Sequence, residues 1–166
     1  MAGVILTWNC ASYTARNILQ KMKSLHEAEI MPSPPNTHCY TAVINSCAYC
    51  IDEESEKRQA LEIALATYKE LERTPSHGKP NHVFYATMVS ALTNLLPPSE
   101  SRSAAVSSIF RRCCETGQVD GLVIKRLQGA LSREEMCLLC PEALVKADGR
   151  ISPETIPAEW RQHLRP

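Results

Sequence analysis

What the chain lacks narrows its possibilities first. It carries no net charge, because eighteen basic residues offset eighteen acidic ones among 166. A balanced chain exerts no global pull on nucleic acid or on an anionic membrane, so any such partner has to be recognised locally. No apolar run approaches the roughly 20 residues that a membrane span requires. The opening Met1-Ala2-Gly3-Val4-Ile5-Leu6-Thr7-Trp8 has neither a basic segment with a cleavage site nor an Arg- and Ser-rich presequence. The expectation is a soluble, untargeted chain. No stretch sustains period-two alternation, so no sheet is expected. The five histidines are scattered, none beside a carboxylate, Ser or Cys at a catalytic spacing, and no glycine-rich phosphate loop occurs. No enzymatic activity is expected, and no cofactor.

What is present is a phrase that occurs twice. Pro35-Asn36-x-x-x-Tyr40-x-x-Val43-Ile44 returns as Pro80-Asn81-x-x-x-Tyr85-x-x-Met88-Val89, each position shifted by 45 residues. A phrase recurring at such a period marks stacked repeats. A second echo supports it: Leu19-x-x-Met22-Lys23-x-Leu25 matches Leu65-x-x-Tyr68-Lys69-x-Leu71, and Ala64-Leu65-x-x-Tyr68 matches Ala105-Val106-x-x-Ile109.

Prolines delimit the elements, in clusters at Pro32/Pro34/Pro35, Pro75/Pro80, Pro97/Pro98 and Pro141. Between them the apolar spacing is helical. Residues 3–12, with Val4, Ile5 and Trp8, read as the end of a helix. Further helices are expected over about 14–29, from about 37, and over about 57–73, 82–95 and 100–116, with Gly117 stopping the last. Residues 121–139 read as one or two short helices, and 141–166 as an end cap with a loosely packed terminus. Tyr40, Tyr68 and Tyr85 fall in apolar stripes and are expected in the core. The fold expected is all-α: an α-solenoid of antiparallel helix pairs with a C-terminal helical cap. Its divisions are 1–36 (a truncated first repeat), 37–81 (a complete repeat), 82–117 (a final repeat), 118–140 (the cap) and 141–166 (an irregular tail).

These units resemble pentatricopeptide repeats over about residues 4–116. The residues that carry the resemblance are the Pro-Asn closing one unit, the tyrosine four positions after that Asn, the apolar pairs Val43-Ile44 and Met88-Val89, and the Ala-Leu of the second helix. The units are longer than the family's usual repeat. The excess lies in the acidic loop 51–59 and in Thr74-Pro75-Ser76-His77-Gly78, where insertions are tolerated. Such expanded repeats are similar to those of algal and diatom members.

The resemblance implies binding of single-stranded RNA, about one base per repeat. It implies work in organelle RNA processing or stability, in mitochondria or plastids, although no presequence is visible. It assigns base reading to the residue after the first-helix tyrosine together with the last residue of the unit. Here these are Thr41 with Asn81, the family's adenine-preferring pair. Asn36 closes the truncated unit without a clear partner, and Ala86 has no hydrogen-bonding side chain, so the final unit is expected to read nothing. His38 and Val83 stand where the family packs a side chain on the base face.

The helices 37–50 and 82–95 contain no Asp, Glu, Lys or Arg. That suits a groove for base edges, and equally an inner, half-buried layer. Phosphate contacts need Lys and Arg. The candidates Lys21, Lys23, Lys79, Arg111, Arg112, Lys125 and Arg126 form no obvious stripe. The chain is expected to be a fragment or the end of a longer array. An alternative is a tetratricopeptide-like scaffold that binds a protein or peptide.

Two Cys-x-x-Cys pairs, Cys47/Cys50 and Cys137/Cys140, could together make a four-thiolate zinc site, or one pair could be redox-active. Their long separation and helical setting favour reduced, buried thiols. Asp148-Gly149-Arg150-Ile151 looks like the middle of a calcium loop, but its ligand positions would fall on Leu144, Lys146 and Thr155, which excludes it.

Overall fold

The computed structural model describes residues 11–50, 53–141, 144–146, 148 and 150–164. The expected helix at 3–12, with Val4, Ile5 and Trp8, lies for the most part outside them. The described residues are all-α. The helices are α1 (Ala11–Glu27), α2 (Thr37–Ala48), α3 (Glu54–Arg73), α4 (His82–Leu95), α5 (Glu100–Glu115), α6 (Gly121–Ala130), α7 (Arg133–Leu139) and α8 (Ala158–Arg161). A single isolated bridge, Val145 to Ile151, is the only extended pairing among the described residues.

Helices α2, α4, α5 and α6 each start where the sequence supplies a cap, whereas α3 starts at Glu53 without one. Asn36 Oδ1 accepts from the amides of His38 and Cys39, Asn81 Oδ1 from Phe84, Ser99 Oγ from Arg102, and Asp120 Oδ1 from Val123. Such caps satisfy amides that a helix start leaves open, each worth about 1 kcal/mol. Segment 121–139 forms two helices. The break comes at Ser132, which builds a reciprocal capping box with Glu135.

Gly117 stops α5 as expected. At φ 63° it permits a Schellman turn, with Gly117 N donating to Cys114 O and Gln118 N to Cys113 O. The same turn closes α1, but there the left-handed residue is Glu29, at φ 59°.

Packing runs in steps of two along the chain. Helix α2 lies on α4, and α4 lies on α6. Helix α1 packs on α2 and α3, α3 on α2 and α4, and α5 on α4 and α6. The core follows this order: Tyr40, Ile44 and Cys47 from α2; Phe84, Tyr85, Met88 and Leu92 from α4; Val123, Ile124 and Leu127 from α6. Tyr40, Tyr68 and Tyr85 are all buried, as their stripe positions required.

The tail differs from expectation, because residues 151–164 dock. Val119 N donates to Trp160 O at 2.8 Å and His163 N to Gly117 O at 3.0 Å. The Trp160 ring stands edge-on to Phe110 at 5.7 Å, and Ile151 and Ile156 are buried. Gly117 is the seat: a Cβ there would come within 2.6 Å of Gln162 Cγ. The apolar residues of the tail lack a helical period because they pack from turns and a single helical turn.

Candidate nucleic-acid interface

Two pins hold α2 and α4 side by side in the same direction. At the start, Thr37 Oγ1 donates to Lys79 O at 3.0 Å. At the far end, Asn94 Nδ2 donates to Ala48 O at 2.9 Å. Gly78 makes the first pin possible. Its φ of 103° is a glycine conformation, and an added Cβ would sit 2.6 Å from Thr37 Oγ1. The next junction is alike, since His82, the first residue of α4, lies 3.8 Å (Nε2 to Oδ2) from Asp120, the cap of α6.

Thr41 and Asn81 are brought into one neighbourhood by the first pin. Thr41 is half-buried and its Oγ1 donates to Thr37 O at 2.7 Å, one turn back. Asn81 follows Lys79 by two residues. Its Oδ1 is engaged in the cap, while its amide nitrogen has no hydrogen bond to a described residue. Asn36 is exposed and caps α2 in the same way. His38 and Val83 are both exposed at matching positions, the second residues of α2 and α4. Ala86 is not part of a surface: it is 2% exposed, buried within the helix layer.

The register yields a face wider than these residues. The exposed positions along α2 are His38, Ala42 and Asn45, followed by Tyr49 just past its end, at 70% exposure. Shifted by 45, they become Val83, Thr87, Ser90 and Asn94 on α4, exposed or half-buried. The face carries no Asp, Glu, Lys or Arg on either helix and is mostly polar, with Ala42 and Val83 its apolar members.

A third helix of this row was missed by sequence reasoning. Helix α6 lies on α4 as α4 lies on α2. Its signal is the same phrase in weaker form: Asp120-x-x-x-Ile124-x-x-Leu127 parallels Asn81-x-x-x-Tyr85-x-x-Met88. The unit between is six residues shorter, and an aliphatic residue replaces the tyrosine, which hid the match. In this register Lys125 corresponds to Thr41 and Arg126 to Ala42, and both are exposed. At the face position of Ala42 and Thr87, α6 therefore carries a cation, Arg126.

The other cations divide in two. Lys21, Lys79 and Arg111 are exposed. Lys23 and Arg112 are engaged, Lys23 with Glu70, and Arg112 with Glu72 and Glu115 at 2.9 and 3.0 Å.

Behind the face, Tyr40 is tied into a polar knot. Its hydroxyl donates to Glu70 Oε1 at 3.0 Å and lies 2.6 Å from His77 Nδ1. Arg16 and Lys23 of α1 both pair with Glu70, and Arg16 also donates to the buried Thr67 at 3.2 Å. Burial raises the Glu70 carboxyl, but the Lys23 hydrogen bond, the Arg16 charge and the Tyr40 hydroxyl outweigh it and hold it below its ordinary value. Burial, with the charge of Lys23, lowers His77. Burial and the Glu70 carboxylate raise the Tyr40 phenol.

The cysteine pairs differ in setting. Cys47 and Cys50 are buried, Cys137 is exposed, and burial pushes the Cys140 thiol up to about 11. Among the described residues no three metal-ligating side chains gather. No helix among them is long and apolar enough to cross a membrane.

No protein-family model, curated protein or solved structure matches this chain.

Proposed function

We propose that the chain binds single-stranded RNA along the exposed face of α2, α4 and α6, as a non-enzymatic α-solenoid module like the pentatricopeptide-repeat proteins its sequence resembles. The observation that carries this reading is the four-position series His38, Ala42, Asn45, Tyr49 and its counterpart Val83, Thr87, Ser90, Asn94. Two uncharged exposed rows sit on helices pinned together at both ends. Uncharged donors and acceptors can meet base edges, and Tyr49 offers a ring on which a base can stack, a contact worth about 1–3 kcal/mol. Thr41 and Asn81 form the base-reading pair, with the Asn81 amide nitrogen as donor. Work on organelle transcripts, in mitochondria or plastids, belongs to the same reading.

The test is fluorescence anisotropy with short homopolymeric RNAs across a salt series. Affinity should fall as salt rises. Asn81→Asp keeps an oxygen for the cap but removes the amide donor. It should change the preferred base by about tenfold while the melting temperature holds, a base contact being worth about 1–3 kcal/mol. Thr41→Ala should act on the same base. Absence of RNA binding at low salt overturns the reading. Binding of peptides along this face instead would make the chain a tetratricopeptide-like scaffold.

A further inference from the structure

The row ends in a basic cavity. It has a volume of about 530 Å³ and lies between α6, α7 and the residues Asp148 and Arg150. Lys125 and Gln128 line it from α6, Arg133 from the start of α7, Met136 from its floor, and Asp148 and Arg150 from the segment beyond. Three cations face one carboxylate. That carboxylate, Asp148, is directed at Arg150, its Oδ2 3.9 Å from Arg150 Nε. Lys125 and Arg133 have no ion pair among the described residues. Cations of one sign gathered in a concave setting raise the local anion concentration. The volume is that of a small-ligand site.

We infer that this cavity is a phosphate-ester site, and that its occupant is a backbone phosphate of the strand lying on α2 and α4. The second part rests on the proposed RNA-binding reading. Gly129, which lines the cavity, holds on α6 the place of Asn45 on α2 and Ser90 on α4, so a strand followed along the row passes from neutral positions to a charged cavity. The division of labour is physical: phosphate contacts supply affinity without sequence information, and base contacts supply the choice. Arg133 offers a planar fork suited to two phosphate oxygens, Lys125 a point charge, and Gln128 an amide donor.

The experiment uses the full chain with Lys125→Gln and Arg133→Gln combined, both exposed positions whose replacement leaves the core intact. RNA affinity should fall by a similar factor for every base composition. The salt dependence should become shallower by about 0.7 in the log–log slope for each phosphate the variant no longer neutralises. Lys69→Gln on α3 is the control and should change neither. If the double variant binds RNA with wild-type affinity and slope, the strand-phosphate assignment is wrong while the RNA reading stands. A second arm needs no RNA: titration with inorganic pyrophosphate, followed by NMR of the Arg133 Nε–H and Gln128 side-chain amide. Shifts at both support the phosphate-ester site. Their absence overturns it. Shifts here in a protein that binds no RNA would keep the site, assign it to a small free phosphate ester, and overturn the strand as its occupant.

Discussion

Tyr40 and Tyr85 hold the same place in the repeated phrase and live in opposite surroundings. Both are fully buried. The Tyr40 hydroxyl ends in a knot of charge: Glu70 and His77 touch it, and Arg16 and Lys23 close around Glu70. The Tyr85 ring sits in an aromatic cluster. Tyr68 stacks on Phe84 at 5.7 Å, and Tyr85 meets both rings at an angle, at 6.4 and 6.1 Å. Its hydroxyl lies 3.3 Å from that of Thr116, which also has two backbone carbonyls within reach. The tyrosine itself supplies the buried ring in both places. The neighbours, drawn from α1 and α3 in one case and from α3 and α5 in the other, decide how its polar end is satisfied.

The sharpest way to break this comparison is at the aromatic side. Phe84→Ala removes a fully buried ring between Tyr68 and Tyr85 and should cost about 4 kcal/mol in denaturant unfolding. A cost under about 1 kcal/mol would mean the cluster does not hold the layers together.

Next is the turn that carries His77 into the knot. Gly78→Ala puts a Cβ against Thr37 Oγ1 in a backbone conformation that disfavours side chains. It should cost about 2–3 kcal/mol and loosen the pin between Thr37 and Lys79, read as faster amide exchange at the start of α2.

Glu70→Gln should cost about 2 kcal/mol, since two cations lose their charged partner in a site that remains partly open to solvent. Replacing Glu115 at the end of α5 should cost under about 0.5 kcal/mol because its pair with Arg112 is exposed.

Acid should act on the Tyr40 knot and spare the Tyr85 cluster. His77 titrates below its ordinary value near 6.5, so the unfolded chain takes up its proton first and stability falls as the pH drops from that value through the folded one. Glu70 is likewise lowered, and its contribution is present above the ordinary value of 4.5 and lost as the pH falls through the folded value. His77→Asn should remove the earlier of these two losses from a stability–pH curve. An unchanged curve would show that His77 is not coupled to folding.

The smallest contrast is between the hydroxyls themselves. Tyr40→Phe should cost about 1.5 kcal/mol and Tyr85→Phe about 0.5 kcal/mol, because one hydroxyl bonds a charged group and the other shares a neutral partner. Equal costs would erase the distinction.

Much of the all-α layout was legible beforehand because local chemistry writes it: prolines at 34–35, 80 and 97–98, helical apolar spacing between them, and a stop glycine at 117. Helix α6 was expected as a helix, but its place in the row escaped because its unit is shorter and Ile124 stands in place of a tyrosine. The docked tail escaped because Ile151, Ile156 and Trp160 pack without a period. The candidate face was half legible. Residues His38 and Val83 carried through to exposed, matching positions, whereas Ala86 turned inward; Lys125 stood among the candidate cations, and Tyr49 and Arg133 gave no sequence signal.

By itself the sequence determined the element type and the burial of the repeated tyrosines, since helical periodicity, caps and breakers act over a few residues and need no partner. Only the tertiary structure decided which polar groups meet. The knot at Tyr40 joins residues from position 16 to position 77, and the face joins residues from three helices. Contacts at such separations depend on how helices are placed, and a few residues more or less in the connecting turns change that placement while leaving each helix intact.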